Sequence, residues 1–142
     1  MISRIASLTQ SLKPYKYLKN DKIIPNQVSP ERGQLLSALL NFELDSLTYV
    51  EIFKKSNFQN LELKDADLSN ITIKGIDLSF SNFENTNFSN SVFQNVRMEN
   101  TIMKNGNFIK VKFISTYIIK SDFALSDVRS TNFQDCFFSK TI

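Results

Sequence analysis

Between Phe80 and Val96 the chain reads FSNFENTNFSNSVFQNV, with phenylalanine at 83, 88 and 93 and serine or threonine two residues before each. A spacing of five fits neither the 3.6 of a helix nor the 2 of a strand, and this excludes most ways of building a core. The register runs from Ser56 to Lys140. Its central positions are Phe58, Leu63, Leu68, Ile73, Leu78, Phe83, Phe88, Phe93, Met98, Met103, Phe108, Phe113, Ile118, Phe123, Val128, Phe133 and Phe138, all large and apolar. Two residues before each stands a small or β-branched residue, with Leu61 the departure, and the other three positions are mostly polar.

If the chain turns a corner after each short extended piece, one large and one small side chain point inward while three stay in water. So short a repeat cannot bury its own apolar residue, and stability must come from stacking successive turns. ADLSN at Ala66 to Asn70 and SNFEN at Ser81 to Asn85 resemble the motif of the pentapeptide-repeat family: alanine, aspartate or asparagine, leucine or phenylalanine, then two variable residues. The resemblance implies an all-β solenoid, a right-handed quadrilateral β-helix with four repeats to a coil. Residues 56–142 would then make about four coils, stacked at roughly 4.8 Å per coil.

Where the family prefers alanine, this chain has Leu61, Ile71, Ile76, Val96 and Val111, so the first coils are expected to be less regular. Cys136 falls at a small inward position and reads as a buried, unreactive thiol.

Four repeats per coil place residues 20 apart on one face. Asp77, Arg97, Tyr117 and Phe137 are expected to form one outward column, with Gln59, Ser79, Glu99, Ile119 and Ser139 beside it. After the central residues of one coil stand Ile109, Ile114, Ile119 and Ala124, an apolar belt where the preceding coil has Ser89, Gln94, Glu99 and Lys104. Clustered exposed apolar groups mark interfaces. Ile109, Ile114, Tyr117, Ile119 and Phe137 are the candidate interface. A last coil without a covering element would leave strand edges, Phe133 and Phe138 near solvent, favouring a homodimer through the C-terminal coil.

Upstream of the repeats, residues 29–55 read as a helical cap. Ser29, Pro30 and Glu31 open one helix, whose apolar face is Leu35, Leu36, Leu39, Leu40 and Phe42. A second helix is capped by Asp45 or Ser46 and turns Leu47, Val50 and Phe53 inward, with Ile52 beside them. Residues 1–28 read as a basic leader or tether with a short amphipathic helix on Ile5, Leu8 and Leu12. They carry Arg4, Lys13, Lys16, Lys19 and Lys22 against Asp21, so the basicity behind the formal charge of +3 belongs to this segment, the rest of the chain being slightly acidic.

The absence of histidine and the single cysteine exclude imidazole bases, the usual zinc sites and an internal disulfide. No acidic pair or phosphate-cradling loop stands out, so no catalytic, cofactor or metal residue is assigned and an enzyme is not expected. No apolar run is long enough to span a membrane, and the expected address is cytoplasmic. The leading function is a non-enzymatic scaffold that binds a protein partner or itself. The family's quinolone-resistance members suggest DNA mimicry directed at gyrase, which needs a strongly negative surface. Residues 56–142 carry nine basic and nine acidic groups, with Lys104, Lys110, Lys112 and Lys120 close in sequence, which argues against mimicry and against nucleic acid as partner. A third reading places residues 1–28 on an anionic membrane surface.

Overall fold

The computed structural model describes residues 1–42 and 44–142. From Asn60 to Lys140 every fifth residue takes a left-handed backbone conformation, with φ between 50° and 68°, and each such residue is a corner. Asparagine, aspartate or glycine adopts this conformation at little cost, and they hold Asn60, Asp65, Asn70, Gly75, five corners from Asn85 to Asn105, and Asp135. The chain needs few glycines because asparagine takes their place. Four corners close a coil, and partners across the ladder are 20 residues apart.

The first face carries Phe58, Leu78, Met98, Ile118 and Phe138. The second carries Leu63, Phe83, Met103 and Phe123; the third Leu68, Phe88, Phe108 and Val128; the fourth Ile73, Phe93, Phe113 and Phe133. On the fourth face β3 (Thr72–Lys74), β4 (Val92–Gln94), β6 (Lys112–Ile114) and β8 (Asn132–Gln134) form a parallel sheet of four rungs, three full coils from first to last. On the first face β5 (Arg97–Glu99), β7 (Tyr117–Ile119) and β9 (Phe137–Ser139) form a second parallel sheet. The architecture is the β-solenoid with helices at its N-terminal end that the five-residue register predicts.

In most repeats one residue separates strand from turn. Asp67, Asp77, Asn82, Asn87, Asn107, Asp122 and Asp127 each accept a hydrogen bond from the backbone N–H two residues on, at 2.9 to 3.1 Å. That local bond makes a turn of the residues after it. Thr72, Val92, Arg97, Lys112, Tyr117 and Phe137 offer no such acceptor, and strands form there. There are exceptions in both directions: Asn132 pairs with Lys112 in the strand register, and the second face turns after Glu62 and Ile102 without such a bond. The first face therefore changes from turn to strand between Asp77 and Arg97.

Inside, the central residues from Phe58 to Ile118 are buried. Phenylalanines stack down the columns, Phe88 on Phe108 at 5.4 Å and Phe93 on Phe113 at 5.0 Å, while neighbours on adjacent faces meet edge to face. The small inward hydroxyls bind backbone of the preceding coil, with Thr86, Ser91, Ser121 and Thr131 donating to the carbonyls of Leu63, Leu68, Met98 and Phe108, each 23 residues back. Cys136 Sγ occupies the same station, 3.3 Å from the Phe113 carbonyl oxygen, and burial pushes its thiol pKa up. The bulky Leu61, Ile76, Val96 and Val111 are buried without disturbing the corners. The expected irregularity of the first coils is not observed, because the register is held by the corner backbone rather than by the size of the inward residue.

The cap consists of α1 (Ile2–Ser11), a hairpin of β1 (Leu18–Lys19) and β2 (Lys22–Ile23), α2 (Pro30–Leu40) and α3 (Ser46–Lys55). Ser29 accepts from the Arg32 N–H, and Asp45 from the Thr48 N–H, so both predicted caps are present. Residues 1–28, expected as a basic leader or tether, lie against the fold instead. Ile2 and Ile5 pack on the core, and Thr9 is fully buried, its hydroxyl accepting from the Asn57 N–H at 2.9 Å. The hairpin turns on Asn20 and Asp21, both left-handed, a two-residue turn that matches the strand twist. Segment 28–29 then stands in for a preceding coil, Ser29 donating to the Asn60 carbonyl and accepting from the Glu62 N–H.

Two details of the cap differ from the helical-face reading. Leu47, Val50 and Phe42 are exposed, whereas Leu36, Leu39, Ile52 and Phe53 are buried. The inward face of α2 also includes Arg32, which is buried and donates to the Thr9 carbonyl at 3.1 Å and the Gln59 carbonyl at 2.7 Å, tying α1 to the first coil.

Two substitutions test this account. At Gly33 a Cβ would collide with the Glu62 carbonyl oxygen. Gly33→Ala should destabilise by roughly 1–3 kcal/mol in urea, although helix propensity alone would stabilise by about 1 kcal/mol. Leu125 is 89 % exposed at a left-handed corner with φ 60°. Leu125→Asn should raise stability by up to about 1 kcal/mol by removing that strain, read as a higher Tm.

Candidate interaction surface

Between rungs the parallel ladders pair the backbone of the first and fourth faces, so anything bound from the side is recognised by outward side chains, and open edges remain only at the terminal rungs. On the first face Tyr117 and Phe137 are cross-strand neighbours, with ring centroids 6.1 Å apart and planes tilted by 44°. They are 52 % and 54 % exposed, against none for the inward Ile118 beside Tyr117. Ile119 lies on the same strand as Tyr117, and Ile114 ends the neighbouring strand across the Ser115 corner. Both are half-buried. These four apolar side chains occupy two adjoining faces.

Ile109 does not join them. It follows Phe108 on the third face, and the corner at Lys110 separates it from Ile114. The belt of Ile109, Ile114, Ile119 and Ala124 runs round all four faces, so the repeat period that aligns these residues in sequence scatters them in space. The lysines also divide. Lys104 is on the second face in an ion pair with Asp122 at 3.0 Å, whereas Lys110 and Lys120 are corners and Lys112 lies on the fourth face.

A second apolar region lies at the last rung. Val128, Phe133 and Phe138 are 46 %, 40 % and 47 % exposed, whereas Phe108, Phe113 and Ile118 directly above them are fully buried. Phe133 stacks beneath Phe113 at 5.1 Å with planes 3° apart and meets Phe138 edge to face. The hairpin was not read from the sequence, although Asn20-Asp21 between alternating residues was a legible turn signal. The clusters of three or more acidic or sulfur side chains that could hold a metal ion are absent among the described residues. No helix among them is long and apolar enough to cross a membrane.

The core and the outward column respond differently to substitution. Phe113→Ala should cost about 3–5 kcal/mol in urea denaturation, since a buried ring leaves a cavity between stacked neighbours. Tyr117→Asp should change stability by about 1 kcal/mol or less, the worth of one cross-strand pair. A large loss for Tyr117→Asp would return that residue to the core.

Residues 73–108 match the family model of pentapeptide repeats in eight copies. No curated protein matches the chain. Among solved structures it is similar to Rfr23, a pentapeptide repeat protein from the cyanobacterium Cyanothece 51142, at 9 % identity and a TM-score of 0.47, covering 61 % of this chain and 86 % of that one. It is also similar to a trypsin-treated QnrB1, a plasmid-mediated fluoroquinolone resistance protein, at 13 % identity and a TM-score of 0.35, covering 59 % of this chain and 49 % of that one. The matched repeats lie within one unbroken register of corners, 20-residue ladders and inward phenylalanines, so the pentapeptide repeats of residues 73–108 are part of a solenoid that runs on to Lys140.

Proposed function

We propose that the protein is a non-enzymatic interaction scaffold, a rigid prism that holds outward side chains in fixed rows for a protein partner. The observation that supports this most directly is the exposed Tyr117–Phe137 pair with Ile114 and Ile119 beside it. Aromatic residues carry a large share of binding energy in protein interfaces, and here the ladder fixes their spacing before any partner arrives. The stacked backbone has little freedom left to lose on binding. The four apolar residues gather on two adjoining faces, away from the helical cap.

The exposed last rung supports a second contact, between copies of the chain. Another rung laid beneath Phe133 and Phe138 would continue the stack that buries Phe113 and Ile118. Light scattering across a concentration series tests this contact. The mass is expected to rise with concentration, and Phe138→Ser is expected to suppress the rise while the circular dichroism of the ladder persists. A constant monomer mass would remove the contact between copies and leave the lateral surface as the only binding region of the scaffold.

A further inference from the structure

Residues 56–142 are electrically balanced in sequence, yet the fold separates the charges. The fourth and first faces, with their corners, carry Lys74, Arg97, Lys110, Lys112, Lys120 and Lys140 against Asp77, Glu99 and Asp135. The second and third faces carry Lys64, Lys104 and Arg129 against Glu62, Asp65, Asp67, Glu84, Asp122 and Asp127. The prism is thus positive on one side by three charges and negative on the other by three. A 20-residue period turns a neutral sequence into a transverse dipole.

Ion pairing sharpens the difference. On the negative side Lys64 pairs with Glu84, Lys104 with Asp122 and Arg129 with Asp127, and the Tyr17 hydroxyl donates to Glu62. The hydrogen bond to Glu84 raises the Lys64 pKa. Burial pushes Asp122 up, but the Ala124 N–H and Lys104 outweigh it and hold the carboxyl below its ordinary value. On the positive side Arg97 is engaged, with Glu99 at 2.6 Å. Among the described residues Lys110, Lys112, Lys120 and Lys140 make no ion pair, and all four are exposed.

Three of these lysines sit where the backbone makes them costly. Lys110, Lys120 and Lys140 are left-handed corners, with φ of 58°, 50° and 51°. Earlier coils place Asn70 and Asn90 above Lys110, and Asn100 above Lys120. Asparagine suits that conformation, and a long side chain is worse there by about 1 kcal/mol. Charge has been placed at these corners against local backbone preference, as strained residues at functional sites commonly are. They bound the two faces on which Ile114, Tyr117, Ile119 and Phe137 lie.

An apolar, aromatic centre inside a charged rim is the anatomy of a protein interface. From it we infer that the fourth and first faces of the C-terminal half bind an acidic protein segment whose apolar side chains seat on Ile114, Tyr117, Ile119 and Phe137, and whose carboxylates meet Lys110, Lys112, Lys120 and Lys140. This rests on the scaffold reading and names the chemistry of its partner. Nucleic acid fits less well. The uncommitted cations are all lysines, without the guanidinium fork that suits phosphate, and the apolar centre includes two isoleucines that offer no stacking plane to a base. A second copy also fits less well, because four of the six acids on its negative faces are already engaged.

The test titrates the full chain, 15N-labelled, with three probes: a peptide of about ten residues with two leucines among glutamates, its counterpart with lysine for glutamate, and a dT oligonucleotide of similar length. The acidic peptide is expected to shift the amides of Ile114, Tyr117, Ile119 and Phe137, and to lose affinity as salt rises from ~50 to ~300 mM. The triple variant Lys110→Asn, Lys120→Asn, Lys140→Asn should weaken that binding roughly tenfold or more while the Tm stays level or rises. Unchanged affinity in the triple variant would overturn the inference. Tighter binding of the lysine peptide on the same amides would overturn the acidic partner and leave the scaffold standing. Tighter binding of the oligonucleotide would make the surface a nucleic-acid site and overturn the inference. No shift with any probe would overturn both the acidic partner and the lateral surface of the scaffold.

Discussion

A residue with positive φ after every short extended piece is the constraint from which this structure follows. Each corner redirects the chain by about a quarter of a coil, so a residue meets its equivalent one coil later and 20 residues on. The parallel hydrogen bonds, the phenylalanine columns and the inward hydroxyl ladder all depend on that return. Parallel pairing in most proteins needs a long crossover between strands. Here the other three faces of the coil are the crossover, and they are themselves part of the core. Large inward residues such as Leu61 and Val111 are tolerated because they fill space between coils whose separation is already set by backbone pairing.

The same return governs electrostatics. Charges five residues apart in sequence go to different faces, and charges 20 apart are stacked. Lysines that look clustered along the chain are distributed between two corners, a face and an ion pair. Acids and bases that balance in composition are separated across the prism. Net charge alone therefore says little about what this solenoid attracts, whereas the side of the prism on which a charge falls says much.

The cap shows how a solenoid's first edge can be managed. Exposed strand edges invite pairing with other chains. At the N-terminal end the backbone of Ser29 pairs with the first coil, α2 approaches so closely that only glycine fits at position 33, and buried Arg32 binds carbonyls of α1 and the coil together. A charged residue buried in this way is held by its hydrogen bonds, and its burial follows from the packing of three separate segments.

Much of the fold was legible in the sequence because the repeat is local: the inward residue, the small residue before it and the corner are all specified within five positions. Asx residues even mark which faces turn, since Asp77 and Asn87 bond their own backbone two residues on. The helix caps at Ser29 and Asp45 were equally legible, being local hydrogen bonds. Less was legible where a residue's environment comes from a distant segment. Nothing within the periodicity of α3 says that Leu47 faces solvent and Ile52 the core, because the surface that covers Ile52 is supplied by other elements. Residues 1–28 read as a tether because their apolar residues are sparse, and only packing against α3 and the first coil orders them. Five-residue spacing thus determined the backbone of this protein. Which outward residues share a surface, and on which side its charges lie, was decided by the closure of four corners into a coil, because closure brings together residues that the chain keeps apart.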